Sequence, residues 1–164
     1  MTDPSLANDR SSTPPAPGGA PSAPPVSEEL REHFAPLLRG TLIERCGIEL
    51  LTLDAGGGTA SMPVPGNTQP AGLLHGGATI ALAESIASFA AILQARAVHG
   101  DGAQAVGTSV SALHHRSARS GEVVASCTPR HLGRQVASYL VDVRDEQDRL
   151  LSTVTVATQL LPPR

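Results

Sequence analysis

A histidine, two glycines and a glutamate stand close together near the middle of the chain. His75, Gly76 and Gly77 precede a run of mostly apolar residues, and Glu84 is the single carboxylate within that run. A buried carboxylate costs free energy unless it is paired or used. An ionised glutamate can act as a nucleophile, or as a general base that takes a proton from water. We therefore treat Glu84 as a candidate catalytic group.

The two glycines lie where a loop is predicted to become a helix. The first amides of a helix have no intrahelical partner and carry the positive end of the helix dipole. Glycine lets another molecule approach this backbone closely, so the Gly76 amide could stabilise an oxyanion. An ordinary glycine-containing turn is the alternative on local sequence alone.

The spacing of Glu84 and Gly76 limits how they can act together. Eight residues at about 1.5 Å each separate them by roughly 12 Å along a helix. Within one chain this distance is too great for both groups to reach the same reacting bond of a substrate. Two antiparallel helices from two chains would instead bring Glu84 of one chain beside Gly76 of the other. Ser88 lies one turn after Glu84 on the same face.

A second concentration of polar residues runs from position 114 to position 134, with Glu122 as its only acid. Its basic residues are His114, His115, Arg116, Arg119, Arg130, His131 and Arg134. The guanidinium of arginine can donate two parallel hydrogen bonds to phosphate oxygens, so the segment could bind a nucleotide diphosphate. A solvated basic turn is the alternative. The histidines have no strong metal-ligand spacing, and we expect no metal site.

The elements that position these residues follow from capping, periodicity and turn signals. A helix is predicted from Ser27, with a kink or break at Pro36, and the longest helix from Gly76 to about Arg96. Two strands are predicted around a turn at 56–58, and four more at 105–114, 122–129, 135–144 and 150–160. An antiparallel sheet wrapped around one long central helix satisfies this order, which is an α+β fold.

Composition limits the remaining possibilities. A chain of 164 residues with net charge −3 fits one domain with a tail and disfavours nucleic-acid binding. Residues 1–26 are rich in proline, alanine and serine, so we predict a disordered tail before a domain at 27–164. No 18 consecutive residues are apolar, so we expect no membrane span. Cys46 and Cys127 match no metal or redox spacing, which favours a cytoplasmic protein with free thiols.

These motifs closely resemble those of hotdog-fold acyl-CoA thioesterases. The resemblance covers residues 40–161 and is carried by the segments QPAGLLHGGATIALAES, LHHRSARSG and RHLGRQ. The subgroup is that of the Arthrobacter-type 4-hydroxybenzoyl-CoA thioesterase and the menaquinone-pathway and enterobactin-proofreading thioesterases. It implies a hotdog fold and hydrolysis of an aromatic or short-to-medium acyl-CoA to the free acid and CoA.

The resemblance also implies roles for individual residues. Glu84 would be the nucleophile or general base, and the Gly76 amide would polarise the thioester carbonyl. Gln69 and His75 would orient the thioester and water, with Ser88 assisting near Glu84.

The same resemblance implies where CoA binds, how the chains associate and whether a cofactor is needed. The CoA arm would lie along His115, Arg116, His131, Gly133 and Arg134. Relatives of this kind are dimers of dimers, so we expect a homodimer with shared active sites and, from two dimers, a homotetramer. No cofactor is implied.

Other functions are also compatible with parts of the sequence. A serine hydrolase needs a G-x-S-x-G elbow, and the nearest segment, 107–111, lacks the second glycine. A hotdog dehydratase needs a histidine and an acid in an arrangement that we do not find. A non-catalytic acyl-CoA-binding protein and a thioesterase acting on carrier-protein-bound acyl groups remain open, although the intact set of Gln69, His75 and Glu84 argues against the former.

Overall fold

The computed structural model describes residues 23–163, in which six strands form one antiparallel sheet around one long helix. The strand order is β1-β2-β4-β5-β6-β3. The predicted α+β architecture is therefore confirmed. The elements are α1 (Glu28–Leu38), α2 (Leu42–Cys46), β1 (Glu49–Asp54), β2 (Gly57–Pro63), α3 (Gly76–His99), β3 (Gln104–His114), β4 (Glu122–Leu132), β5 (Val136–Asp145) and β6 (Leu150–Leu161).

The long helix α3 is the centre of the core and contacts all six strands. It runs three residues beyond the predicted end at Arg96 and is capped by Gly100, whose φ is +89°. Its buried side chains include Leu82, Ile86 and Phe89. By length and mean hydropathy, 1.6, the helix could also cross a membrane, but such a helix is equally suited to the interior of a sheet.

The β1–β2 hairpin depends on two glycines that come directly after its turn. Gly57 and Gly58 have φ of +132° and +152°. A Cβ on Gly57 would lie 2.1 Å from the carbonyl oxygen of Cys127, and one on Gly58 would lie 2.1 Å from that of Thr52. The close approach of β2 to both neighbouring strands therefore requires glycine at these two positions.

The first helix contains Pro36, where the sequence predicts a kink or a break. Ser27 caps α1 as predicted, its hydroxyl accepting from the Leu30 amide at 3.2 Å. The helix then continues through Pro36 to Leu38 and does not break there. Pro36 lacks the amide that would bond to the Glu32 carbonyl, and Glu32 is exposed, so water can satisfy that carbonyl. The short helix α2 was not predicted.

The folded part begins before the predicted domain boundary at Ser27. The Val26 amide donates to the Leu51 carbonyl at 3.1 Å, and the Leu53 amide donates to the Pro24 carbonyl at 3.0 Å. The Val26 side chain is buried. Residues 24–26 thus line the outer edge of β1 and belong to the folded domain, although the sequence predicted them within a tail of residues 1–26. The rest of that prediction falls on residues 1–22, which lie outside the described residues.

A chain beginning at Ala23 is expected to keep the melting temperature of the full chain, whereas one beginning at Ser27 should melt several degrees lower. The shorter chain loses two backbone hydrogen bonds and the burial of Val26, together about 2–4 kcal/mol. Thermal unfolding followed by circular dichroism measures both. Equal melting temperatures for the two shortened chains would show that the edge segment contributes nothing.

Candidate active site

The start of α3 is fixed by the loop that precedes it. The Asn67 side-chain amide donates to the carbonyls of Cys46 and Pro63, both at 2.8 Å. The His75 amide donates in turn to the Asn67 carbonyl at 2.9 Å. Because these bonds tie the loop to β2 and α2, the first turn of the helix is held in a defined place. Sequence reasoning did not single out Asn67.

The His75 side chain caps the helix. Its Nδ1 accepts a hydrogen bond from the Gly77 amide at 2.8 Å. Within the described residues, the Gly76 amide has no acceptor. The predicted candidate donor for an oxyanion is therefore available, while His75 has a structural contact that the sequence did not reveal.

A polar cleft of about 450 Å³ lies in front of this helix start, and we call it the Gly76 cleft. Of the predicted site residues it brings together Gln69, Gly76, His115 and Arg116. Arg116 is held by a hydrogen bond from its guanidinium to the Leu150 carbonyl at 3.0 Å. The cleft thus combines a free helix amide with a basic rim.

A second cleft of about 500 Å³ runs along the face of α3 that the sheet leaves uncovered, and we call it the Glu84 cleft. Glu84 and Ser88 both line it, as their spacing predicted, among apolar side chains such as Ile80 and Phe89. A Cβ on Gly107 would lie 3.0 Å from Glu84 Oε1. Gly107 therefore leaves room for the carboxylate, and the ladder between β3 and β6 is irregular just after it.

The strand register places the strand neighbours of Glu84 and of Gly76, which are Gly107 and His114, at different points along the sheet. At one end Val136 pairs with Gln159, which pairs with Val106; at the other Val143 pairs with Ser152, which pairs with His114. From Val136 to Val143 is seven residues, or roughly 23 Å at about 3.3 Å per residue.

The predicted CoA-binding residues are divided between these two ends. His115 and Arg116 lie at the His114 end, in the Gly76 cleft. His131, Gly133 and Arg134 lie at the β4–β5 turn, where the Arg134 carbonyl contacts the His99 ring at 2.6 Å. One chain therefore does not bring all five residues together.

Glu84 belongs to the β4–β5 end. Its neighbour Gly107 pairs with Thr158, which pairs with Ala137 just after that turn. The ten predicted residues thus form two sets within one chain. The Gly76 set is Gln69, His75, Gly76, His115 and Arg116, and the Glu84 set is Glu84, Ser88, His131, Gly133 and Arg134.

The two cysteines take no part in either cleft. Both are free, as predicted, and both are buried. Burial, with a smaller contribution from the charge of Asp54, raises the pKa of the Cys127 thiol to about 12. Because the thiolate is the reactive form, Cys127 is no nucleophile at neutral pH. The described residues also hold no group of three His, Cys, Asp or Glu side chains placed to bind a metal.

An antiparallel sheet wrapped around one long helix is the hotdog fold that the motifs of this chain predicted. The family model described as the Thioesterase superfamily matches residues 71–152. The proofreading thioesterase EntH of Cronobacter turicensis is 45% identical over 123 residues, which are 74% of this chain and 87% of that protein. The EntH of Klebsiella pneumoniae is 43% identical over 122 residues, covering 74% and 86%.

Solved structures agree with these relatives. A thioesterase of Haemophilus influenzae has a TM-score of 0.72 at 33% identity, over 80% of this chain and 90% of that one. A thioesterase variant of Pseudomonas aeruginosa has a TM-score of 0.73 at 32% identity, over 80% and 93%. The chain belongs to the thioesterase superfamily and is a thioester hydrolase with the hotdog fold, as its motifs predicted.

Proposed function

We propose that this thioesterase hydrolyses an aromatic or short-to-medium acyl-CoA to the free acid and CoA, with Glu84 as nucleophile or general base. The main observation that supports this proposal is the position of Glu84. It lines an apolar cleft together with Ser88, and the glycine opposite it leaves its carboxylate unobstructed. A carboxylate on a mostly apolar helix face loses part of its hydration, which costs free energy. Its presence there therefore indicates a function.

The chemistry needs few groups. A thioester carbonyl lacks the resonance of an amide and is a good electrophile. Glu84 either attacks this carbon or takes a proton from a water that attacks it. The Gly76 amide stabilises the negative charge that develops on the carbonyl oxygen. The carbon–sulfur bond then breaks, its electron pair leaves with the CoA sulfur, and the thiolate takes up a proton. If Glu84 acted as general base, it passes the proton that it took from water to the thiolate or to solvent. If Glu84 itself attacked the carbon, water then hydrolyses the mixed anhydride between Glu84 and the acyl group, which releases the acid and restores the carboxylate.

The two sets of residues support a site shared between two chains. If two α3 helices pack antiparallel through the Glu84 cleft, the Glu84 set of one chain meets the Gly76 set of the other. The edge strand β3 supports such a pairing because, within the described residues, it bonds only to β6. An open edge is a template for a second copy. We propose a homodimer on this basis, and a homotetramer of two such dimers.

Such a shared site would also bring the five proposed CoA-binding residues together. His115 and Arg116 of one chain would then join His131, Gly133 and Arg134 of the other along one CoA arm. Arginine at both ends suits the phosphates of a nucleotide. The second candidate substrate is an acyl group on a carrier protein, which is held by the same kind of thioester bond. We also propose a cytoplasmic location, supported by the two free thiols.

Thiol release from a panel of substrates tests this function. Benzoyl-CoA and short acyl-CoAs should be hydrolysed faster than palmitoyl-CoA, and each should be compared with the same acyl group on a carrier protein. A palmitoyl-CoA rate well above the benzoyl-CoA rate would contradict the proposed acyl class. A kcat/KM that is much higher on the carrier protein would establish the second candidate instead.

Changing Arg116 or Arg134 to Ala is expected mainly to raise KM for acyl-CoA. A charge-assisted hydrogen bond to phosphate contributes about 1.5–3 kcal/mol, which corresponds to a roughly 10- to 160-fold change in KM. A truncated thioester without the nucleotide should react almost as with the wild type. Arg39→Ala, at an exposed position after α1, is the control. Equal losses on both substrates would show that these arginines are structural.

A further inference from the structure

Three polar side chains form a chain of hydrogen bonds across the sheet, from His115 through Thr153 to Asp142. His115 Nε2 and Thr153 Oγ1 are 3.1 Å apart. The Thr153 hydroxyl donates to Asp142 Oδ1 at 3.2 Å, and these two residues are register partners on β6 and β5. Their strand neighbours Val154 and Val141 are buried in the core, so Thr153 and Asp142 lie on the opposite, outer face. The proposed CoA-binding residue His115 is thus linked to a carboxylate on the second strand from its own.

The hydrogen bond to Asp142 determines which nitrogen of the His115 ring holds a proton. An ionised carboxylate only accepts hydrogen bonds, so the Thr153 hydroxyl must direct its single hydrogen to Asp142. The hydroxyl oxygen can then only accept from the ring, which requires a proton on Nε2. In the neutral ring, Nδ1 is therefore a hydrogen-bond acceptor. Nδ1 has no hydrogen-bond partner among the described residues, so a ligand can use it.

Asp142 is itself held in place by a third group. The Arg144 guanidinium lies 3.7 Å from Asp142 Oδ2 and donates to the Asp148 carbonyl at 2.9 Å. The two oxygens of Asp142 thus have separate partners, Arg144 and Thr153, which fix the direction of the carboxylate. A side chain that is already held in one orientation loses less conformational entropy when it binds a ligand than a freely rotating one does. An ordered His115 ring would therefore bind its ligand more tightly.

We infer that Asp142 is a positioning residue for substrate binding, which acts through Thr153 to hold the His115 ring with Nδ1 open to the pantetheine arm of acyl-CoA. The inference rests on the proposed function, because it takes the Gly76 cleft as the place of the thioester. His115 lines this cleft, and the pantetheine arm is the part of CoA that adjoins the thioester. That arm carries amide N–H groups and a hydroxyl, from which Nδ1 can accept a hydrogen bond.

Variants of the two supporting residues test the positioning. Asp142→Ala and Thr153→Val should each raise KM for acyl-CoA about 2- to 10-fold, the range for one neutral hydrogen bond, with kcat unchanged. Thr153→Ser keeps the hydroxyl and should keep the wild-type KM. Thr155→Val, at an exposed position two residues further along the same face of β6, is the matched control and should change neither parameter. The same acyl group on pantetheine, without the nucleotide, should show the same increases in KM.

A double-mutant cycle separates positioning from an independent effect on the fold. His115→Ala should raise KM, and adding Asp142→Ala to it should have no further effect, because the carboxylate acts only through the ring. NMR of the ring nitrogens is a second readout that needs no turnover. It should place the proton of the neutral His115 ring on Nε2 in the wild type, and on either nitrogen in Thr153→Val. Melting temperatures of all variants are the check on folding.

The outcomes that overturn the inference are distinct from failure of the proposed function. If His115→Ala raises KM while Asp142→Ala and Thr153→Val do not, the ring binds substrate without their help and the inference is wrong. Increases that multiply in the cycle, or a proton on Nδ1 in the wild type, would also overturn it. An increase with acyl-CoA but not with the pantetheine thioester would mean that the ring contacts the nucleotide instead. If Glu84→Ala, assayed in parallel, is fully active, the proposed catalytic group itself is wrong.

Discussion

Glu84→Ala is expected to lower kcat by at least ~10²-fold, the usual effect of losing a general base, with little change in KM. In the proposed site, substrate binding depends on the Gly76 cleft and on the residues along the CoA arm, and Glu84 does not line that cleft. Glu84→Gln, which keeps the shape of the side chain but cannot take a proton, should be as inactive as the alanine variant. Steady-state thiol release on the preferred acyl-CoA measures both parameters.

Ser85→Ala is the matched control for this result. Ser85 is the next residue of α3 and lines the same cleft, but we assign it no chemical role. Its replacement should leave kcat within a few-fold of wild type. Similar losses for Ser85→Ala and Glu84→Ala would mean that the cleft is sensitive to packing and that the carboxylate has no special role.

Gly58→Ala is expected to give the largest loss of stability, at least ~3 kcal/mol in the free energy of unfolding. The new Cβ would lie 2.1 Å from the Thr52 carbonyl oxygen, so β1 and β2 must separate. The residue would also keep a φ of +152°, which itself costs about 1–3 kcal/mol for a residue other than glycine. Urea denaturation followed by circular dichroism measures the effect.

Gly66→Ala separates the two contributions to that loss. Gly66 has a φ of +88°, but nothing lies within 4 Å of a Cβ placed on it. This variant should therefore show the backbone cost alone and be clearly more stable than Gly58→Ala. If both variants lose the same free energy of unfolding, the collision between β1 and β2 is relieved without cost and the argument from strand spacing fails.

The order of elements and the position of the long helix could be predicted because they depend on local patterns. The apolar run after Gly76 and the turn signals between the strands are contained in short segments of sequence. The spacing of Glu84 and Ser88 on one helix face is equally local, and both side chains line one cleft. The separation of Glu84 from Gly76 also follows from helix geometry alone.

What could not be predicted depends on contacts between distant parts of the chain. The register of β3 sets Gly107 against Glu84 and His114 against Gly76, and no local pattern shows these contacts. A glycine in a strand is a recognised sign of close approach, but the sequence does not say what approaches it. Likewise, the Val26 amide donates to the Leu51 carbonyl, although Val26 ends a proline-rich segment whose composition suggests disorder.

The central claim is that each active site combines Glu84 of one chain with the Gly76 set of another. Complementation between two inactive variants tests it most directly. One variant carries Glu84→Ala, and the other carries Gln69→Ala with His75→Ala. Denatured together and refolded, they should form about half mixed dimers, each with one intact site, so about a quarter of all sites should recover. No recovery, under conditions in which the wild type refolds to full activity, would contradict the shared site.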